Sequence, residues 1–215
     1  MIFERSAWPA RRIAISVTIC VLTAAASFAL VLLRLRFQPP VFLANVPFAA
    51  VTFALGPVAG IIAVALAWVA RGLYFGSYSW YVIVTIIEMI LIGILMPKPA
   101  GETPATGIDR PSRRAIELAR VFGKLFALYV CCVIAASVSG GIISVVVFGD
   151  APPDPGIALE IDVIFQGLLG IDIPSIQAAI LARVQINLAD RFLVVFLGYG
   201  LSLLYRRWLG QSARG

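Results

Sequence analysis

The sequence predicts an all-α, polytopic membrane protein: six transmembrane helices forming a single domain over residues 1–215. Three observations carry that reading. Apolar residues make up 61% of the chain and charged ones 13%, against the ~25% charge usual in soluble domains. The apolar residues fall in long runs, near the ~20 residues that a helix needs to cross a hydrocarbon core. Lys and Arg cluster in alternate connections between those runs, as orientation in a membrane requires. The net charge of +6 therefore reads as membrane orientation. The expected surroundings are a lipid bilayer, with no nucleic-acid partner.

The elements follow in order. Arg5, Arg11 and Arg12, an apolar stretch and Ala24-Ala25-Ala26 have the pattern of a secretory leader. Apolarity continues to Leu33, however, about 21 residues from Ile13, which suits a spanning helix better than a cleaved leader. The first span is therefore 13–33, closed by "RLRFQPP". From Val41 to Ala70 the chain is almost wholly apolar, but Pro47 and Gly56-Pro57 interrupt it, and Gly-Pro signals a turn or a helix start. Gln38 to Tyr74 leaves room for two spans of about 18 residues each. A fourth span over 80–96 stops at "MPKP". A basic loop over about 97–121 follows, its later part (Arg113 to Lys124) reading as an interfacial helix that leads into a fifth span at 122–148. After "GDAPPDPG", residues 157–182 alternate apolar and polar without a clean core, which predicts an amphipathic or re-entrant helix before the last span at 187–206.

Charge decides between one span and two in the 41–70 run. With two, the segments 1–12, 97–124 and 206–215 share one side and carry 12 of the 17 Lys and Arg residues. With one, the termini and the basic loop fall on opposite faces. The positive-inside rule selects two, giving six spans with both termini cytoplasmic. "GDAPPDPGIALEID", with its four carboxylates, then faces outward.

Enzymatic function is not expected. The chain has no histidine, so a Ser-His pair is excluded, and neither HExxH nor a GxxxxGK[ST] phosphate loop is present. Cys20, Cys131 and Cys132 lie in apolar stretches without CxxC spacing, and read as packing residues rather than metal ligands. No cofactor and no metal are expected.

Charges within the spans are more informative, because an ionised group in hydrocarbon is costly and usually faces a cavity or a partner. Glu88 lies midway along "YVIVTIIEMILIGIL" with no charged neighbour. Such a carboxylate is protonated, paired with an arginine from another helix, or open to a cavity. Near the last span Arg183, Asn187, Asp190 and Arg191 recur at three- and four-residue spacing, forming one polar stripe. Asn45 before Pro47, Gln166, Gln177 and Gln185 add polar surface, and Arg71, Tyr74, Tyr78, Trp80 and Tyr81 surround the third turn. Plainer readings stand beside these. The aromatic residues fit an interfacial belt, Arg71 and Arg183 can snorkel to headgroups, and Asp190-Arg191 can cap and pair locally. Small residues recur every fourth position at Ala10/Ala14, Ala25/Ala29, Ala59/Ala63/Ala67 and Gly140/Ser144, a spacing that lets helices approach closely.

The order "SGGIISVVVFGD", a broken amphipathic stretch and "NLADRFLVVFLGYGLSLLYRR" resembles the substrate-binding S components of energy-coupling factor (ECF) vitamin transporters. In that family the last helix often opens with Asp followed by Lys or Arg and ends basic; Asp190-Arg191 and Arg206-Arg207 match. The resemblance implies six spans and capture of a small vitamin-like metabolite. The ligand-binding residues expected on it are Asn45, Tyr78, Trp80, Glu88, Gln166, Asn187, Asp190 and Arg191. It also implies an integral membrane coupling protein contacting Ala10, Ala14, Ala25 or Ala29, and ATPase subunits that drive uptake. The alternative expectation is a membrane sensor or assembly subunit that moves nothing.

Overall fold

A computed structural model describes residues 10–37, 43–96, 111–148 and 159–212. Every regular element among them is helical. They are α1 (Ala10–Phe37), a 3-10 turn (Leu43–Asn45), α2 (Val46–Leu55), α3 (Pro57–Phe75) and α4 (Val82–Leu95). The chain continues through α5 (Pro111–Ile143), which runs into a π-helical segment (Ser144–Phe148), then α6 (Leu159–Leu169) and α7 (Ser175–Ser212). Three helical stretches are long and apolar enough to cross a membrane: Ile13–Phe37, Pro57–Phe75 and Ile116–Phe148. Their outward side chains are large and apolar, including Val17 and Leu22, Ile62 and Leu66, and Phe126 and Ile134. Contiguous apolar surface on this scale is foreign to soluble monomers. It marks the chain as membrane-associated.

The apolar run 41–70 divides where Gly56-Pro57 predicts. Gly56 adopts φ 97°, a conformation that costs glycine little, and its N–H closes α2 on the Thr52 carbonyl. Pro57 then opens α3, where its missing N–H is no loss. The two halves are unequal. α2 has 10 residues and α3 has 19, so α2 is about 15 Å long, half the thickness of a hydrocarbon core.

The reason α2 is so short and so apolar lies in its surroundings. Pro47 to Phe53 are all buried, and α1, α3, α4 and α7 pack around it. A helix apolar on every side belongs at the centre of a bundle. Its closest neighbour is α7, which places Gly198 against Ala49; a Cβ at Gly198 would lie 2.7 Å from the Ala49 Cβ. Packing of this kind, rather than water exclusion, holds helices together in lipid. At the far end of α2, Arg206 Nη2 donates to the Phe53 carbonyl, one of the terminal carbonyls that the helix cannot satisfy itself.

Two boundaries differ from the sequence expectation. Residues 111–124 do not form a separate interfacial helix but the first turns of α5, which is unbroken to Ile143. α7 begins at Ser175 rather than near residue 187, so the polar stretch Gln177 to Gln185 belongs to the last helix. Only α6 (Leu159–Leu169) remains as the separate amphipathic element, packing Ile161 and Phe165 against Ala178, Ala179 and Ala182 of α7. The alternation of apolar and polar residues comes from two helices, α6 and the start of α7, that bury Ile161 and Phe165 against Ala178, Ala179 and Ala182 and leave Gln166 and Gln177 exposed. The expected loop at 97–110, the acidic turn at 149–158 and the leader-like residues 1–9 lie outside the described residues.

Candidate functional site

The polar groups gather on one face of α7. Arg183, Asn187 and Arg191 follow one another at four-residue steps and are all buried, spanning about 12 Å along the axis. Asp190 is buried beside them. α4 and α5 supply the opposing groups, and α5 packs closely enough to do so because Gly141 faces the backbone of Ile180.

The inner node is an ion pair. Arg191 Nη1 donates to Glu88 Oε2 at 2.7 Å, with both side chains buried. Of the three fates open to a carboxylate at this depth, Glu88 has the arginine partner from another helix. The contact is one-pronged: Glu88 Oε1 and Arg191 Nε are buried and make no hydrogen bond. Arg191 Nη2 reaches Asn187 Oδ1 at 3.5 Å, and Asn187 Nδ2 donates to Ser137 Oγ on α5 at 2.9 Å. The charge of Asp190 also acts on Glu88.

The outer node is built around Arg183. Its Nη1 donates to the Ala179 carbonyl at 3.0 Å, and its Nη2 to Tyr81 Oη at 2.9 Å and Ser144 Oγ at 2.6 Å. Tyr81 and Ser144 are themselves hydrogen-bonded at 3.0 Å. The guanidinium carbon lies 5.8 Å from the Tyr81 ring centroid, and Phe148 stacks on that ring at 6.1 Å with an interplanar angle of 14°. The π-helical turn Ser144–Phe148 brings Ser144 and Phe148 to this node. Such departures from α geometry often sit at functional sites.

The structure brings four of the expected ligand-binding residues together: Glu88, Asn187, Asp190 and Arg191. The other four lie apart. Asn45 is buried at the start of α2. Tyr78 is exposed and tilts against Trp68, and Trp80 is exposed beside it. Gln166 is an exposed residue of α6 whose carbonyl accepts the Gly170 N–H. Tyr81, Ser137, Ser144 and Arg183 are site residues absent from the expected set. Ser137 on α5 and Ser144 at the start of the π-helical segment lie seven apart, about two helical turns, which is the one signal in the sequence that could have grouped them. Arg183 lies on the stripe legible in the sequence, and of the two readings open to it, stripe member and headgroup anchor, the guanidinium contacts with Tyr81 and Ser144 fit the first.

The small-residue patterns separate by face. Ala63 and Ala67 are buried where α3 meets α1, and Cys20 Sγ approaches the Ala59 carbonyl there. Ala14, Ala25 and Ala29 on α1 are exposed; the Ala10 side chain lies outside the described residues. Arg71 does not snorkel alone, since its Nη2 donates to Ser27 Oγ of α1 at 3.0 Å.

No family model, curated protein or solved structure matches this chain. Its function must be argued from the site itself. Among the described residues no three His, Cys, Asp or Glu side chains gather as a metal site requires. The donors and acceptors present suit hydrogen bonding and ion pairing with a polar molecule.

Proposed function

We propose that the chain is a six-span protein of the bacterial inner membrane that captures a small polar solute from the outer face, in the manner of an ECF substrate-binding subunit. One observation carries the reading. A column of buried polar and charged groups runs along α7 from Arg183 to Arg191, met by Tyr81, Glu88, Ser137 and Ser144. Ionisable residues inside membrane helices are costly, and typically mark substrate or ion paths.

In this reading α1, α2 with its preceding 3-10 turn, α3, α4, α5 and α7 cross in turn, with α6 lying against α7. α2 need not match the bilayer thickness, because protein rather than lipid surrounds it. The contact of Arg206 with the end of α2 fits a shared cytoplasmic side for the Gly56 turn and the carboxy terminus. Tyr81, Ser144 and Arg183 then lie toward the outside. Ala14, Ala25 and Ala29, exposed on α1, leave a close-packing face for an integral coupling protein, with ATPase subunits supplying the energy.

Native mass spectrometry of the protein extracted from its host membrane tests both parts. A bound small molecule together with a coupling protein and ATPases is expected. Recovery with a signalling protein alone, and no small molecule, would sink the capture reading in favour of a sensor. For the topology, Ser77→Cys should react with an impermeant maleimide on intact cells, and Gln211→Cys only after permeabilisation. The reverse pattern refutes the orientation.

A further inference from the structure

The two buried arginines of α7 differ in one respect. Arg191 is neutralised by Glu88. Arg183, 5% exposed, meets only neutral oxygens, and no described carboxylate pairs with it. Asp190 is seven residues further along α7, about 10 Å down the axis.

Hydrogen-bond accounting sharpens the contrast. A guanidinium carries five N–H donors, and Arg183 uses three. Tyr81 and Ser144 have one hydroxyl proton each, and their mutual bond uses one of the two. Among the described residues, two N–H groups and one O–H are therefore left without a hydrogen-bond partner at a node that carries a positive charge. The surroundings hold this donor set in place. The Arg183 stem lies along Gly140, where a Cβ would come within 3.2 Å of Cδ and 3.3 Å of Nε. Phe148 covers the Tyr81 ring from the other side.

We propose that Arg183, Tyr81 and Ser144 form a binding site for one oxyanion, the carboxylate or phosphate group of a ligand. A planar guanidinium matches both groups through paired N–H bonds, and the free hydroxyl proton supplies a third donor. Binding gives the buried guanidinium the counter-charge that Glu88 gives Arg191. The oxyanion belongs to a soluble molecule or to a lipid headgroup. The solute-capture reading above requires the first, whereas the anion site itself stands with either.

The full chain is reconstituted in phosphatidylcholine nanodiscs, and its melting temperature is followed by circular dichroism against acetate and inorganic phosphate. Chloride holds the ionic strength constant. A parallel series replaces part of the lipid with phosphatidylglycerol. A saturable rise in melting temperature is expected with at least one of these oxyanions. Arg183→Gln should weaken it at least about tenfold, while Arg206→Gln, which removes the same charge elsewhere on α7, should leave it unchanged. If Arg183→Gln fails to fold, Tyr81→Phe and Ser144→Ala serve, each lowering the affinity roughly two- to tenfold. Stabilisation by acetate or phosphate supports both the site and solute capture. Stabilisation by phosphatidylglycerol alone supports the site and removes the argument for a captured solute. No stabilisation by any of the three overturns the site. An equal response in wild type and in every site variant that folds does the same.

Discussion

Replacing Glu88 by glutamine keeps the shape of the side chain and removes its charge, leaving Arg191 buried with its 3.5 Å hydrogen bond to Asn187 Oδ1. Breaking a buried pair by losing one partner costs about 3–5 kcal/mol, because an uncompensated charge remains. The one-pronged contact, with Glu88 Oε1 and Arg191 Nε unbonded, places the expected loss at the lower end of that range. Glu88→Gln and Arg191→Met should therefore each cost about 3 kcal/mol, whereas the double variant should lie within about 1 kcal/mol of wild type. The implied coupling is about 5 kcal/mol, above the roughly 0.5–3 kcal/mol of most neighbouring pairs and within the range measured for close charge pairs. Reversible unfolding in mixed detergent micelles measures all four corners. Additive single-variant losses would show that the two groups are not partners, and would refute the buried pair on which the inner node is built.

Three further outcomes follow from the packing. Gly198→Ala should destabilise by about 1–3 kcal/mol through overpacking, because its Cβ would meet Ala49 at 2.7 Å; Gly123→Ala, with open space around it, should gain up to about 1 kcal/mol of helix propensity, and the same unfolding series reads both. Arg206→Gln should cost about 1 kcal/mol by uncapping α2, visible as faster amide exchange at its last turn, and unchanged exchange there would contradict the cap. Cys131 is exposed on α5 while Cys20 and Cys132 are buried, so a lipid-soluble maleimide should modify Cys131 first; prior reaction at Cys132 would mean that the helix faces are reversed.

Much of this architecture is legible in the sequence, for reasons that can be named. Gly56-Pro57 states its own break: one residue tolerates a positive φ and the next lacks an N–H. The stripe on α7 is legible because a helix repeats its faces every three or four residues. Helix extent is harder to read. Ser175 to Ile186 mixes apolar and polar residues because it buries small Ala178, Ala179 and Ala182 with Arg183 while Gln177 and Gln185 stay exposed, and a hydropathy count averages the two sides. The partners of the stripe are illegible for a different reason. Ser137, Ser144 and Tyr81 are common residues in helices and belts, and only the packing of α5 on α7, with α4 against α5, turns them into acceptors for Asn187 and Arg183.

The pairing of Glu88 with Arg191 also bears on where a ligand can attach. An anion arriving at Arg191 must compete with a carboxylate already held at 2.7 Å, and displacing it would leave Glu88 charged and unpaired in the bundle unless a proton or cation came too. An anion arriving at Arg183 displaces only neutral oxygens, whose own hydrogen bonds can turn toward it. The conspicuous "ADR" at the start of the apolar run is therefore better suited to holding α4 against α7 than to gripping a ligand. Arg183, two turns earlier on the same face, is the arginine whose surroundings ask for one. On this argument the inner pair fixes the geometry of the column, and selectivity for a charged group resides at its outer end.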